Sequence, residues 1–225
     1  LVKRLEIPQS STSTLMKTLV SNGLVEFDPS LRTFQPSVRL AFLGNWVLGS
    51  SDGLAQIQTL LQRLAAETGE TVLVGAQNGL NVQYLSVIVS EHQVRFALRP
   101  GLMRPLHLAG LGIMLLGQKT DDEVGRIVRR FNAEADAEQT LANESEVLDA
   151  VRKARAQGYC YTANLASPGA GVIATLLPLA VEGRFLAIGL GAPIDRLEAR
   201  RELLRDILLS EVNKFSGSTF RYQVA

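Results

Sequence analysis

Polar side chains suited to binding nucleic acid lie close together near the start of the sequence. Hydroxyl and amide groups at the N-terminal end of a helix can bind phosphates, and some can contact base edges. The pattern also fits an amphipathic helix with Ser10 or Ser11 as its N-cap, common in helical domains. We therefore expect a DNA-contacting surface, with an ordinary helical hairpin as the alternative. The expected contacts on this helix are Gln9, Ser10, Ser11, Ser13, Thr14 and Lys17.

The surrounding pattern predicts a winged helix-turn-helix over residues 1–37, with its first helix missing. Residues 1–5 fit the end of one helix, Ser10–Val20 a second helix, and residues 24–34 a short hairpin. Arg32 in that hairpin joins the expected DNA contacts. Because the sequence begins as if inside a helix, we expect a further helix upstream of it. Three apolar residues share one face of the second helix and would pack on the first: Leu15, Met16 and Leu19.

The composition is that of an ordinary globular protein. Of the 225 residues, 46% are hydrophobic and 20% are charged, and the net charge of +1 argues against unspecific binding of nucleic acid. Residues 1–40 carry five basic and three acidic side chains, a mild bias that suits a small specific DNA-binding module. No apolar run reaches the length of a membrane span, and no signal peptide is evident. We expect a cytoplasmic protein with no membrane partner.

Catalytic chemistry has few candidates in this sequence. The single cysteine, Cys160, and His107 form the one obvious nucleophile–base pair, but no flanking sequence activates them. We interpret them as a buried thiol and a structural histidine. Two histidines and one cysteine, widely spaced, do not predict a metal site, and neither glycine-rich stretch has a complete phosphate-binding pattern. We therefore expect no enzyme activity, no metal and no cofactor.

A helical linker over residues 38–53 is predicted to join the first module to the rest of the chain. Val38–Leu48 is more apolar than one buried helix face requires. A second helix follows the linker and ends at Gly69. We expect the surplus apolar surface to support dimerisation, although packing within the domain explains it almost as well.

Residues 54–225 predict an antiparallel α+β sensor domain, with a hairpin at Gln77-Asn78-Gly79. The last helix carries an arginine-rich face that alternates with acids, which we expect to be solvated. Those arginines are Arg196, Arg200, Arg201 and Arg205. The predicted strands are 71–76, 80–89, 94–98, 159–162, 171–181 and 184–190. The predicted helices are 105–117, 121–131, 145–157 and 195–215.

Several short motifs follow one another along the chain. Those of the N-terminal third are Leu5–Ser11 with Leu15, Leu19 and Gly23, and then Ala66–Val72. The central ones are Gly101–His107, Gly112 and Leu115-Leu116. The C-terminal ones are Gly158-Tyr159, Gly171-Val172, Pro178, Gly183 and Gly191-Ala192-Pro193. In this order and at these spacings they resemble the IclR family of bacterial transcription regulators, and the likeness runs nearly end to end.

The resemblance implies a GAF-like effector domain that binds a small organic metabolite, commonly an acid or an aromatic compound. It also implies homodimers or tetramers that bind double-stranded, palindromic operator DNA, acting as repressor or activator. Family recognition helices usually carry Arg where this chain has Thr14. That departure removes a group able to bind guanine or phosphate, and shifts the DNA contacts to Ser11, Ser13, Lys17 and the wing.

The implied effector site departs further from the family pattern. Members that bind a small acid have serines at the positions of Gly189 and Gly191, a polar residue at Ala174 and an acid at Thr162. Since polar groups have become small or apolar, we expect a roomier pocket that binds an aromatic acid or similar hydrophobic compound. Arg104 is the nearby charge that could pair with a carboxylate. The other expected ligand contacts are Phe96, Leu98, Leu102, Gly110 and Leu111.

A DNA-binding module joined to a sensor domain predicts a ligand-responsive transcriptional regulator. The alternative is a small-molecule sensor that acts through protein contacts without binding DNA. Thr14 and the missing first helix leave that alternative open. Sequence-selective, salt-sensitive DNA binding would separate the two hypotheses.

Overall fold

A computed structural model describes residues 6–29, 31–37, 51–96, 98–135, 141–181 and 184–217. The chain divides into two compact units, Leu1–Ala55 and Gln56–Ala225. The predicted linker helix Val38–Leu48 and the predicted end of a helix at residues 1–5 lie outside the described residues. Each unit is therefore considered by itself.

The described residues 6–37 of the N-terminal unit, apart from residue 30, form one helix and a two-stranded hairpin. Helix α1 spans Gln9–Ser21, strand β1 spans Val25–Asp28, and strand β2 spans Thr33–Pro36. The strands pair antiparallel and bring the rings of Phe27 and Phe34 to 4.8 Å between centroids. The hairpin thus follows the helix directly, as the sequence predicts.

One local prediction for α1 is wrong. Pro8, and not Ser10 or Ser11, occupies the N-cap position, and no side chain caps the helix. Proline has no N–H to satisfy and its fixed backbone angle suits a helix start. The buried residues of α1 are Thr12 and Met16, and Leu15 is 41% exposed. The helix on which Leu15, Met16 and Leu19 are predicted to pack lies outside the described residues, so that packing stays a prediction.

The C-terminal unit is a mixed α+β domain around a six-stranded antiparallel sheet of order β5-β4-β3-β8-β7-β6. Its strands are β3 Thr71–Asn78, β4 Asn81–Ile88, β5 Met103–Pro105, β6 Cys160–Ala163, β7 Ala170–Val181 and β8 Arg184–Pro193. Its helices are α2 Ser51–Thr68, α3 Gly110–Leu116, α4 Asp121–Glu134, α5 Glu144–Gln157, α6 Ile194–Ala199 and α7 Arg201–Gly217.

The two faces of the sheet bury separate apolar cores because side chains alternate along each strand. One face packs against α2, α6 and α7 through residues such as Leu61, Ile188 and Leu208. The other packs against α3, α4 and α5 through residues such as Leu73 and Leu116. The sheet therefore lies between two layers of helices.

The predicted β3–β4 hairpin is confirmed, with its turn shifted by one residue. Asn78 pairs with Asn81, so that Gly79 and Leu80 form the two-residue turn. Gly79 has a φ of +60°, a left-handed conformation that glycine adopts without strain.

The predicted third strand, Val94–Leu98, is wrong. Its described residues pair with no neighbouring strand, and Val94 is 69% exposed. The Leu98 N–H instead donates to the Phe96 carbonyl oxygen, a local turn that prevents extended pairing. The strand that pairs with β4 is β5, Met103–Pro105.

Two predicted helices are interrupted. The segment from Pro105 to Gly117 breaks at Ala109, whose extended backbone separates a 3-10 turn, Leu106–Leu108, from α3. The long C-terminal helix breaks at Arg200, which separates α6 from α7. The Arg200 side chain donates to the carbonyl oxygen of Thr68 at the end of α2, a distant contact that no local pattern encodes.

Part of the predicted solvated arginine face is also wrong. Arg196 forms two hydrogen bonds of 2.7 Å with the carboxylate of Glu70, which is fully buried. Arg200 lies 3.8 Å from the same carboxylate. Arg205 and Asp206 do form a surface ion pair of 2.8 Å, as expected. The predicted arginine face therefore contains two kinds of contact: Arg196 binds a buried carboxylate, and Arg205 forms a surface ion pair.

Candidate functional site

The exposed face of α1 presents all the helix residues predicted to contact DNA. Ser10, Ser13, Thr14 and Lys17 repeat at a spacing of three or four residues, so they lie on one side of the helix. Ser13 and Lys17 border a cavity that Met16 also lines. Gln9 and Ser11 are exposed beside them.

The Thr14 hydroxyl on that face donates to the carbonyl oxygen of Ser10 at 3.1 Å. Its proton is therefore used within the helix, and its lone pairs remain able to accept a hydrogen bond. Thr14 consequently has neither a positive charge nor a free proton to offer a phosphate. Lys17 is the charged group among these helix residues.

Arg32 lies at the tip of the N-terminal hairpin. It is exposed and has a φ of +50°, while the neighbouring Leu31 N–H donates to the Asp28 carboxylate at 3.0 Å. The turn thus holds the backbone of Arg32 in place and leaves its side chain in solvent. An exposed cation at this position is available to a phosphate.

The second predicted site lies on the sheet face covered by α3. Cross-strand pairing aligns Ala174 with Gly189, and Thr162, through Val172, with Gly191. Residues directly opposite one another in antiparallel strands share a face. The sheet therefore brings together the four strand residues predicted to contact the effector.

Helix α3 closes this face from above. A methyl group at Gly110 would lie 3.3 Å from Thr162 Oγ1, and one at Gly189 would lie 2.8 Å from Leu111 Cδ1. The Leu111 side chain is 1% exposed and also approaches Gly75. The Leu111 side chain therefore fills the space beside Gly75 and Gly189, and the expected roomier pocket is not open in this structure.

Arg104 approaches the same region from β5. Its guanidinium lies 3.4 Å from both the Ala166 carbonyl oxygen and the Ser167 hydroxyl oxygen, long distances for hydrogen bonds. Arg104 therefore holds the loop after β6 loosely and keeps donor capacity. Leu98 and Leu102 pack against the core of this face, and Phe96 is half-buried.

Tyr84 is a residue of this face that the sequence predictions missed. It is buried on β4, opposite Gly75, and burial raises the pKa of its hydroxyl, while the charge of Arg104 opposes that rise. In the sequence, only the alternation of inward-facing and outward-facing residues along β4 indicates that Tyr84 is buried. Tyr84 adds a neutral hydroxyl near the Arg104 charge.

Cys160 and His107 behave as inert groups. Burial raises the pKa of the Cys160 thiol to about 12, so the thiol stays protonated at neutral pH and is a poor nucleophile. Burial lowers the pKa of His107, whose ring lies 4.3 Å from that of Phe131 in an edge-on contact. Within the described ranges, no group of three or more potential ligands is arranged to hold a metal ion.

Comparison with known proteins places the chain in a family. The domain family described as bacterial transcriptional regulator IclR C-terminal matches residues 46–216, most of the chain. The chain belongs to the IclR family.

Curated relatives in the IclR family are transcriptional regulators and not enzymes. The chain is 26% identical over 218 residues to the HTH-type transcriptional regulator BhcR of Paracoccus denitrificans, covering 96% of this chain and 78% of that protein. It is 27% identical over 207 residues to the HTH-type transcriptional repressor AllR of Escherichia coli, covering 90% and 76%.

Solved IclR structures share the fold. The effector domain of an IclR regulator from Acinetobacter sp. ADP1 superimposes with a TM-score of 0.71 at 29% identity, covering 75% of this chain and 98% of that one. An IclR regulator from Alicyclobacillus acidocaldarius gives 0.75 at 20% identity, covering 96% and 87%, a likeness of fold alone. Among the described helices, none is both long and apolar enough to cross a membrane.

Proposed function

We propose that this IclR-family chain is a DNA-binding transcriptional regulator whose activity responds to a hydrophobic organic acid. The observation that carries the proposal is the exposed polar face of α1, in a chain whose relatives are regulators of the helix-turn-helix type. The cytoplasm is the compartment that this function requires.

The proposed DNA contacts divide by chemistry. Lys17 on α1 and Arg32 at the hairpin tip supply positive charge for phosphates. Gln9, Ser11 and Ser13 supply hydrogen-bonding groups that can reach base edges. Specificity therefore rests on short uncharged side chains, which suits a modest number of direct base contacts.

The proposed effector site is the sheet face beneath α3. Its strand positions, including Ala174 and Gly191, are small and apolar, so they favour an apolar or aromatic body over a small polar acid. Arg104 would receive the carboxylate, assisted by the Tyr84 hydroxyl. Because Leu111 occupies the space above Gly189, binding requires Leu111 to move.

A homodimer or tetramer is the proposed assembly. A dimer presents two copies of α1, and half-sites for such pairs lie about 34–36 Å apart, one turn of DNA. A ligand that prefers one dimer geometry shifts the population toward it and so changes operator affinity. Movement of Leu111 with α3 is a local change that could select between geometries.

A thermal-shift screen tests the ligand class. Aromatic acids, neutral aromatics and small keto acids are compared, and a ligand at one hundred times its Kd adds about 2.7 kcal/mol. We expect aromatic acids to stabilise the chain, and Arg104→Gln to abolish that effect while neutral aromatics are unaffected. Stabilisation by small keto acids alone would overturn the proposed ligand class.

A further inference from the structure

We propose that the groove between α5 and the edge strand β6 is a second small-molecule site, which binds an aromatic ring bearing a carboxylate or sulfonate. The groove encloses about 760 Å³. Of the residues predicted to contact the effector on the sheet face, only Thr162 lines it. The inference is independent of the proposed effector site and of DNA binding.

The floor of this groove is apolar and shaped by small side chains. Ala150 and Ala154 lie one helical turn apart on α5 and leave room beside the helix. Ile113 and Phe131 also line the groove, as does Cys160, the first residue of the edge strand β6. A recess of this volume, with apolar side chains on its floor and polar ones elsewhere in its lining, has the form of a small-molecule site.

Two cations line the groove without an acidic partner. Neither Lys153 nor Arg201 forms an ion pair in the part of the chain that the structure describes. Arg201 lies 4.0 Å above the centroid of the Tyr161 ring, which fixes its guanidinium at the rim. The charge of Lys153 acts on Cys160 at the floor. A ring lying on the floor could therefore place an anionic group near these cations.

The acidic residue of the groove lies toward its other end. Glu146 accepts a hydrogen bond from the Asn143 amide at 3.2 Å, at the start of α5. Seven residues separate Glu146 from Lys153, which places them about 10 Å apart along the helix axis. The charge of the lining side chains thus changes from negative near Glu146 to positive near Lys153. An amphipathic anion would bind with its anionic group toward Lys153.

Cys160 supplies a site-specific reporter because it is the only cysteine of the chain and lies in the groove. We would titrate the full chain with 1-anilinonaphthalene-8-sulfonate and follow its fluorescence. In parallel we would measure the rate at which excess methyl methanethiosulfonate modifies Cys160, in mildly alkaline buffer and over long incubations because this buried thiol reacts slowly. We expect saturable binding that slows the modification, with the same half-saturation in both readouts. Fluorescence that saturates while the modification rate stays constant, or no binding at all, would overturn the proposal.

Charge reversal supplies the matched control. Lys153→Glu replaces an attraction with a repulsion and should raise the Kd of the probe about tenfold, with a smaller difference at high salt. Lys119→Glu makes the same change in a different cavity and should leave the Kd within about twofold. Equal effects of the two variants would contradict the assignment.

A filled groove provides a second, uncharged test. Ala150→Leu adds side-chain volume at the half-buried floor and should abolish both probe binding and protection of Cys160. Circular dichroism and the melting curve check that the variant remains folded. Unchanged probe affinity in a folded Ala150→Leu variant would overturn the proposal.

Discussion

Gly189 and Gly191, which alternate with Leu190 on β8, show how one side chain decides the volume of a site. A methyl group at Gly189 would lie 2.8 Å from Leu111 Cδ1 and 2.9 Å from the Ile173 carbonyl oxygen. At Gly191 the nearest atom, Leu73 Cδ2, would be 3.5 Å away, an ordinary contact. The two glycines look equivalent in sequence but are not equivalent in packing.

This difference predicts opposite outcomes for the same substitution. Gly189→Ala should lower the free energy of unfolding by about 1–3 kcal/mol, the usual cost of overpacking. Gly191→Ala should be neutral or stabilising by up to about 1 kcal/mol, since it restricts the unfolded chain. Urea unfolding of both variants measures this contrast, and equal costs would contradict the packing of Leu111 described above.

Glu70 is the buried charge whose loss we expect to be most costly. Its carboxylate is fully buried and bound by Arg196, with Arg200 nearby. Glu70→Ala should therefore cost about 3–5 kcal/mol, because it leaves a partly buried guanidinium without its partner. Glu134→Ala, which removes the exposed pair with Arg130, should change the unfolding free energy little. Chemical denaturation compares the two, and a small cost for Glu70→Ala would refute the anchor.

His107 predicts a dependence of stability on pH. Burial lowers its pKa in the folded state, so the unfolded chain takes up the proton at a higher pH. The unfolding free energy should hold above the unfolded pKa of about 6.5 and fall as the pH decreases below it. His107→Gln should reduce this fall between about pH 7 and pH 5. Denaturation curves across this range provide the measurement, and identical pH profiles would contradict it.

At the scale of elements, local signals account for the start of α4 and the end of α5. The Thr120 hydroxyl accepts from the Glu123 N–H, and the Glu123 carboxylate accepts from the Thr120 N–H, a complete capping box. Gly158 ends α5 in a left-handed conformation, as its position predicted. These signals act within a few residues, so the sequence displays them directly.

Errors occurred where distant contacts override local preference. The described residues of the predicted strand Val94–Leu98 pair with no strand, and the Val94 carbonyl oxygen instead accepts from Arg196. Arg200 interrupts a continuous helical pattern to reach Thr68. Such contacts join residues more than a hundred positions apart. Periodicity within a short window cannot reveal them.

The capping box of α4 gives a prediction at this scale. Thr120→Ala removes the cap of the first turn and should lower the free energy of unfolding by about 1 kcal/mol. Thr120→Ser keeps the hydroxyl and should retain most of the stability. Thermal unfolding of the two variants measures the effect, and equal stabilities of the Ala and Ser variants would show that the cap contributes nothing.

For the whole molecule, the sequence predicted which residues lie on one face of the sheet, but it did not predict whether the space between them is open or filled. The family resemblance implied that Thr162, Ala174, Gly189 and Gly191 lie together, and the sheet register places them on one face. Residue types alone could not show that Leu111 fills the intervening space. Nor could they reveal the groove beside β6, because it is formed by segments distant in sequence.

The proposed DNA-binding surface lies on the exposed face of α1 and at the tip of the N-terminal hairpin. Its exposed residues have the chemistry for binding DNA, and their number is small. Function therefore depends on whether these few groups, presented by an oligomer, give sequence selectivity.

Fluorescence anisotropy with the intergenic DNA upstream of the gene tests this central claim most directly. We expect binding that exceeds that to scrambled DNA and weakens as salt rises. Lys17→Ala should weaken binding to all sequences and reduce the salt slope by about one, while Lys153→Ala serves as the matched control. Equal, weak binding to both DNAs, unaffected by Lys17→Ala, would contradict the account and favour a sensor that acts through protein contacts.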